Sequence, residues 1–452
     1  MSDGSLSGGS LFGPMFGDPG VDAATGDRAW LQALLDVEAG LARAEARAGL
    51  VPQAAAEAIT AACVADRFDP ADLARRAVGS ATVVIPLVED LRGLVGGEAR
   101  NYVHAGATSQ DIVDSAMSLV AKRASAVIES HLAACADRLA ALADEHRHTV
   151  QIGRTLLQQA LPTTFGVVCA GWLVALDEAR TGLARVRAER LAVQLGGAVG
   201  TLASLGEHGP RVADLLADEL GLATPTLPWH TARGRVAELA AALGVVAGAL
   251  GTVALDVTLL SQTEVAEVAE GTGGGSSAMP HKRNPARSVL VNACAHRVPG
   301  LVATVFAALP QEAQRAAGRW QAEWETVTEL LRLTGGAAGH TRALLADLRV
   351  DPVRMRANLD AGGGLTMAES AVGRLAGAMG RERARAAVTA ASKLARESGG
   401  TLRDALLDDP EVRAAVGSDE LDAALEPASY LGAAEVFVDR ALRAHFSWKE
   451  TS

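Results

Sequence analysis

Aromatic side chains make up only 3% of the 452 residues, and stretches that alternate β-branched or aromatic residues with polar ones are scarcer still. Sheets are therefore excluded as the main architecture. Cysteine is limited to Cys63, Cys135, Cys169 and Cys294, far apart and without CxxC or finger spacing. A chain of this length needs no disulfide staples, so a disulfide framework and a cysteine metal site are excluded and a reducing, cytoplasmic setting is expected. No HExxH occurs, and His146 and His148, two apart on an expected helix, point in different directions, so no metal is expected. No phosphate-binding glycine motif follows a strand, which leaves no nucleotide cofactor to expect. Positive charge is in deficit, 42 Lys and Arg against 53 Asp and Glu for a formal net charge of -11. Such a field repels nucleic acid and anionic membrane surfaces, and neither is expected as a partner.

Residues 1–20 are rich in Gly and Ser but have no basic segment followed by an apolar core, so they do not read as a signal peptide. One uncharged apolar run, Leu239 to Leu255, lies between Glu238 and Asp256 and draws most of its bulk from Ala and Gly. Without a second span or a basic flank, it reads as a helix central to a bundle and not as a membrane crossing.

What the chain has in abundance is Ala, Leu, Val, Glu and Arg, a composition that favours long helices. Apolar residues recur at three and four residue spacing over 28–49, and shorter helical pieces follow to about residue 98. The pattern breaks at Asn101 to Gly106 and then runs in four long stretches, 109–147, 163–195, 232–269 and 286–333. Helices of that size are ~45 to 65 Å long and outrun one compact domain. The spacing predicts an all-α fold with a central antiparallel bundle, extended by association with other copies. Along the chain this gives an N-terminal helical domain over 1–105, the long-helix bundle over 106–355 and a C-terminal helical domain over 356–452.

Four segments carry candidate chemistry. Gly271 to Pro285, GTGGGSSAMPHKRNP, separates two long helical patterns and cannot itself be helical. Glu264, Glu267 and Glu270 are expected to close the helix before it. Its flexible glycine half and its cationic half, His281, Lys282 and Arg283, suit a flap that closes over an anion and activates a serine hydroxyl; a mobile basic surface loop is the plainer alternative. In Ala105 to Leu119, Thr108 and Asp111 form a capping-box pattern, which puts Thr108, Ser109 and Gln110 at a helix N-terminus where free amides and the dipole favour a carboxylate. Simple capping explains the same residues. Arg154, Thr155 and Gln158 in GRTLLQQALP, read as the entry to the helix from Thr163, can donate to a carboxylate. Arg315, Arg319 and Trp320 are expected on a helix, and Trp229, His230, Arg233 and Arg235 at a helix start.

In this order and at these distances, the four segments resemble the fumarase/aspartase superfamily, whose signature GSSxMPxKxNP is matched by GSSAMPHKRNP at Gly275 to Pro285. LFGPMFGDPG, VHAGATSQDIVDSA, GRTLLQQALPTTFG, LPWHTARGRVAEL, QTEVAEV and QRAAGRWQAEW are similar to its branch of bacterial 3-carboxy-cis,cis-muconate cycloisomerases. The resemblance implies a three-part helical protomer, a homotetramer with each active site built from three subunits, a small polycarboxylate substrate and no cofactor. It makes Ser276 and Lys282 catalytic, with Asn284 beside Lys282 on the carboxylate next to the carbon that exchanges a proton. Further carboxylates fall to Thr108, Ser109, Gln110, Arg154, Thr155, Gln158 and Arg315. The implied reaction closes a γ-lactone in the β-ketoadipate route through an aci-carboxylate. The alternative within the superfamily is a β-elimination on nitrosuccinate or an adenylosuccinate-like compound, and outside catalysis a helical scaffold that has lost the chemistry. Leu156 stands where many members carry His or a large aromatic. An acid, if the leaving group needs one, would then come from His104, His146, His230 or His281.

Overall fold

The computed structural model describes residues 11–275 and 278–451, and helices carry most of it. The long ones are α1 (Asp27–Arg47), α2 (Ser109–Glu145), α3 (Phe165–Glu189), α4 (Gly234–Leu260), α5 (Ala286–Ala307) and α6 (Gln321–Ala346). Two more, α7 (Ala368–Met379) and α8 (Arg381–Ser398), pack around a core of Ala371, Leu375, Val388, Leu402 and Leu406 before the last long helix, α9 (Ala434–Thr451). Among the described residues, strands are confined to two small antiparallel pairs, β1 (Val150–Thr155) with β2 (Gln158–Thr164), and β3 (Val268–Glu270) with β4 (Leu348–Val350).

Four local expectations are corrected. The pattern over 286–333 is two helices, because residues 308–320 leave the helical conformation around Pro310, which has no N–H to give and pairs instead with Ala232. Arg315, Arg319 and Trp320 therefore precede α6 and do not lie on a helix. The helix ahead of the glycine-rich loop stops at Leu260, and the chain turns through Ala266 at φ 51° into β3. Glu264, Glu267 and Glu270 do not close that helix, and the loop follows a strand, although one paired antiparallel with β4. GRTLLQQALP is a β-hairpin, with the next helix starting at Phe165. His146 lies just past the end of α2 and does not share a helix with His148.

Packing divides the chain into two compact units, each assembled from three separate stretches. One comprises the chain up to Ala133 with Glu178–Gly251 and Val289–Arg342, and the other Ala134–Asp177, Thr252–Ser288 and Ala343–Ser452. Each of α2 to α6 is shared between them, since a helix that long outruns one core. This division cuts across the three consecutive segments expected from the sequence.

Against the expectation that no second span accompanies it, α4 is joined by α5 in being long and apolar enough to cross a membrane. Less than half of either apolar stretch is buried within the chain.

Candidate active site

The first constellation lies in the unit that begins the chain. The α2 N-terminus forms the carboxylate half of a capping box: the Thr108 N–H donates to the Asp111 carboxylate at 3.0 Å, while the Asp111 N–H goes to the Thr108 backbone carbonyl at 2.9 Å. Asp111 does more than cap. Its oxygens also accept the N–H groups of Gly196 and Gly197, both at 2.9 Å, and the His230 ring nitrogen at 2.7 Å. A side chain at 196 would strike the His230 ring and one at 197 would be strained at φ 68°, so both positions call for glycine.

Gln110 is fully buried, and both hydrogens of its amide are committed, to the His230 carbonyl at 2.8 Å and to Asp114 at 3.2 Å. Its side chain has no donor left for a ligand. Its oxygen instead accepts from the Arg315 guanidinium at 3.2 Å, while a second Arg315 N–H reaches the Ala198 carbonyl at 3.2 Å. Arg315, half-buried, thus keeps most of its donors available beside the α2 N-terminus. Thr108 and Ser109 stand partly exposed there.

Beneath these residues sits a buried ionic network. Arg233, 2% exposed, donates in fork geometry to Asp114 at 2.7 and 3.0 Å and to Glu323, with its guanidinium over the Trp229 ring at 4.7 Å. Asp114 also takes the Trp320 indole N–H at 3.0 Å. Burial raises the Glu323 pKa and outweighs the pull of Arg233; for Arg233 burial works against the charge, but the two carboxylates together raise its pKa. His104, at φ 62°, holds Glu38 at 2.7 Å; burial opposes its charged form, yet the Glu38 carboxylate prevails and its pKa rises. His230 is engaged by Asp111.

The second constellation lies in the other unit. The β1–β2 hairpin turns on Leu156 and Leu157 at φ 51° and 63°, the two left-handed positions of a turn that usually takes Asn-Gly, and the two side chains are 96% and 72% exposed. Thr155 and Gln158 flank the turn in exposed, paired positions. Arg154 donates through both terminal nitrogens to Glu267, at 3.0 and 2.6 Å, and Asn358 adds a third bond to that buried carboxylate at 2.8 Å. The Arg154 charge is thus already matched, which makes it a fixed donor and not a bare cation.

In the glycine-rich loop, Gly274 and Asn284 exchange two backbone hydrogen bonds, at 2.9 and 2.8 Å, which close a neck. Glu270 caps α5 from below, accepting the N–H of Arg287 at 3.1 Å and of Ser288 at 2.9 Å. Beyond the neck His281 and Lys282 are exposed, and Lys282 forms no ion pair with a described residue. Ser276 lies outside the described residues. A cleft of about 410 Å³ opens at the neck, lined in part by Arg283, Asn284, Arg349 and Asp351. His146 bonds Thr149 at 3.1 Å and packs edge-on to Phe165; burial lowers its pKa, and the side chain acts as a packing residue.

The structure therefore gathers Thr108, Ser109, Gln110, His230 and Arg315 around one helix end, and Arg154, Thr155 and Gln158 on one hairpin. Sequence reasoning missed Asp114, Glu323 and Asn358, gave Glu267 only a helix-closing place, and read Arg233 only as part of a helix start. Asp111 and Asp114, three apart among apolar residues of α2, carried a readable signal of buried carboxylates needing partners; Glu267 carried none.

Two family models match the chain, one described as lyase over residues 20–300 and one as adenylosuccinate lyase C-terminus over 364–441. A 3-carboxy-cis,cis-muconate cycloisomerase of Pseudomonas aeruginosa is 48% identical over 96% of this chain and 96% of its own length. A nitrosuccinate lyase of Streptomyces davaonensis is 44% identical over 96% of this chain and 94% of its own. Among solved structures, the 3-carboxy-cis,cis-muconate lactonizing enzyme of Pseudomonas putida superposes with a TM-score of 0.93 at 44% identity, covering 98% of this chain and 100% of that one.

Proposed function

Since the chain belongs to the lyase family of the fumarase/aspartase superfamily, we propose that it is a 3-carboxy-cis,cis-muconate cycloisomerase of aromatic-acid breakdown through the β-ketoadipate route. The substrate is a multiply charged acid. One of its carboxylate oxygens bonds to a carbon of the conjugated double bond, that π bond opens toward a neighbouring carboxylate, and Ser276 delivers a proton to the carbon between, leaving a γ-lactone. The intermediate is an aci-carboxylate dianion, and preorganised cations and donors lower its energy more than that of the substrate.

The observation that carries this reading is the loop: a glycine neck fixed at Gly274 and Asn284, with an exposed Lys282 unmatched by any described carboxylate. Lys282 and Asn284 polarise the carboxylate that receives charge. Thr108 and Ser109 at the α2 N-terminus, Arg315 held by Gln110, and Arg154, Thr155 and Gln158 on the hairpin hold the others. A carboxylate as the oxygen nucleophile, and as the leaving group in reverse, needs no histidine acid, in keeping with Leu156 and with His146 and His230 being tied up inside the fold. The protomer works in the cytoplasm, where its four buried, unbridged cysteines stay reduced, and as a three-part unit of a homotetramer with shared sites.

The purified protein, without added cofactor, should consume the ultraviolet absorbance of 3-carboxy-cis,cis-muconate. Ser276→Ala should lower the rate by about 10²-fold or more. Nitrosuccinate is tested in parallel because of the similarity to its lyase; fumarate and nitrite release with no loss of carboxymuconate would transfer the assignment to that elimination. Activity of the alanine variant within a few fold of the parent would remove Ser276 from the proton transfer.

A further inference from the structure

We propose that the groove between α7 and α8 is a second binding site, for a small organic polyanion. Arg381, Arg385, Thr389, Ser392 and Arg396 follow one another at intervals of four, four, three and four residues along α8, which places them on one face of the helix. With Lys393 they line a cavity of about 580 Å³, within the range of small-molecule sites. Its apolar surface is supplied by Ala368 and Val372 of α7 and Val388 of α8. Glu369 is the acidic side chain in its lining, and Glu369 already accepts the Tyr430 hydroxyl at 3.0 Å.

The cations around the groove are not used elsewhere. Arg381, Arg385 and Arg396 form no ion pair with a described residue, and Lys393 approaches Glu397 only at 3.9 Å. Like charges four apart on a helix repel one another, and the chain as a whole carries an excess of carboxylates, 53 against 42 basic residues. The clustering of unmatched guanidinium groups around a cavity is therefore a local inversion of the molecule's charge. An anion with two or more phosphate or carboxylate groups relieves that repulsion, since guanidinium forks match both geometries. The apolar patch at Ala368, Val372 and Val388 suits a compact carbon body between the charges. None of these residues belongs to the proposed catalytic set.

Calorimetric titration of the full-length protein with adenosine triphosphate, pyrophosphate and citrate tests the assignment. At about 0.15 M salt, where loose surface attraction is largely screened, at least one of the three should bind in the micromolar to low millimolar range. The Arg385→Glu, Arg396→Glu double variant should bind it at least tenfold more weakly, with its helical circular dichroism and carboxymuconate turnover unchanged. Binding of the phosphates alone or of citrate alone identifies which anion the groove takes. The proposal is overturned if none of the probes binds, or if the double variant binds as the parent does. It is equally overturned if charge reversal changes the oligomeric mass and not anion binding, since the groove would then be a contact for another copy.

Discussion

At the scale of single residues, the clearest departure from ordinary backbone chemistry is the pair Leu156 and Leu157. Both occupy left-handed conformations, and both side chains point into solvent. Each such residue costs about 1 kcal/mol or more relative to glycine or asparagine. Replacing the pair with Asn and Gly should raise stability by about 1–2 kcal/mol, seen as a higher urea midpoint at unchanged slope. If the tip also positions Arg154, Thr155 and Gln158, which the proposed reaction places on substrate carboxylates, the same variant should lose at least tenfold in kcat/KM. An unchanged midpoint would refute the strain, and unchanged kinetics the contribution to the site. This turn was illegible in the sequence because Leu-Leu carries none of the chemistry that marks a hairpin, and the segment read instead as the entry to the next helix. Gln110 shows a different limit. Its place at a helix N-terminus was readable from Thr108 and Asp111, but the direction of its amide is decided by the His230 carbonyl, 120 residues away. The polar spacing could show that Gln110 sits at the site and not that it faces Arg315.

At the scale of an element, α1 was read almost to its ends, 28–49 against Asp27–Arg47, because a strongly periodic apolar face and Gly49 beyond its end leave little freedom. The same periodicity concealed that the helix carries two carboxyls inward. Glu38 and Glu45 lie seven residues, two turns, apart and both are 1% exposed, and neither oxygen of Glu45 has a hydrogen-bond partner. Burial, and after it the charge of Glu38, raises the Glu45 pKa from 4.5 to about 8. The folded state therefore holds a proton that the unfolded chain releases near 4.5, so the stabilisation of this group is complete below about 4.5 and is lost as the pH rises through about 8. Glu45→Gln keeps the shape and removes the titration. The variant should unfold with a flatter pH dependence, and at pH ~9 it should be more stable than the parent by a few kcal/mol. Urea midpoints at several pH values between 5 and 9 decide it, and parallel curves for the two proteins would show that Glu45 ionises freely in the fold.

At the scale of the whole molecule, the sequence showed that the helices were too long for one core, and the division of α2 to α6 between two packed units is the structural form of that excess. It could not show which faces remain uncovered, because periodicity distinguishes an apolar from a polar face but not what packs on it. In the single chain α4 leaves Val245 and Leu255 exposed and α5 leaves Val289 and Phe306 exposed. Apolar surface repeated along two long helices marks an interface, and in the proposed homotetramer other copies cover it. Each protomer carries a formal charge of -11, so association has to overcome mutual repulsion through these uncharged faces, and added salt should tighten it. Val289, 52% exposed on α5, is the position to test. Val289→Asp puts a charge where the proposed contact is apolar, and light scattering should find the mass falling from about four times 46.4 kDa toward that of one protomer. Carboxymuconate turnover should fall in step with the loss of assembled mass, because a site assembled from several copies cannot outlast them. A parent protein that is monomeric at micromolar concentration would remove the assembly, and a dissociated variant with full turnover would show that one chain holds a complete site.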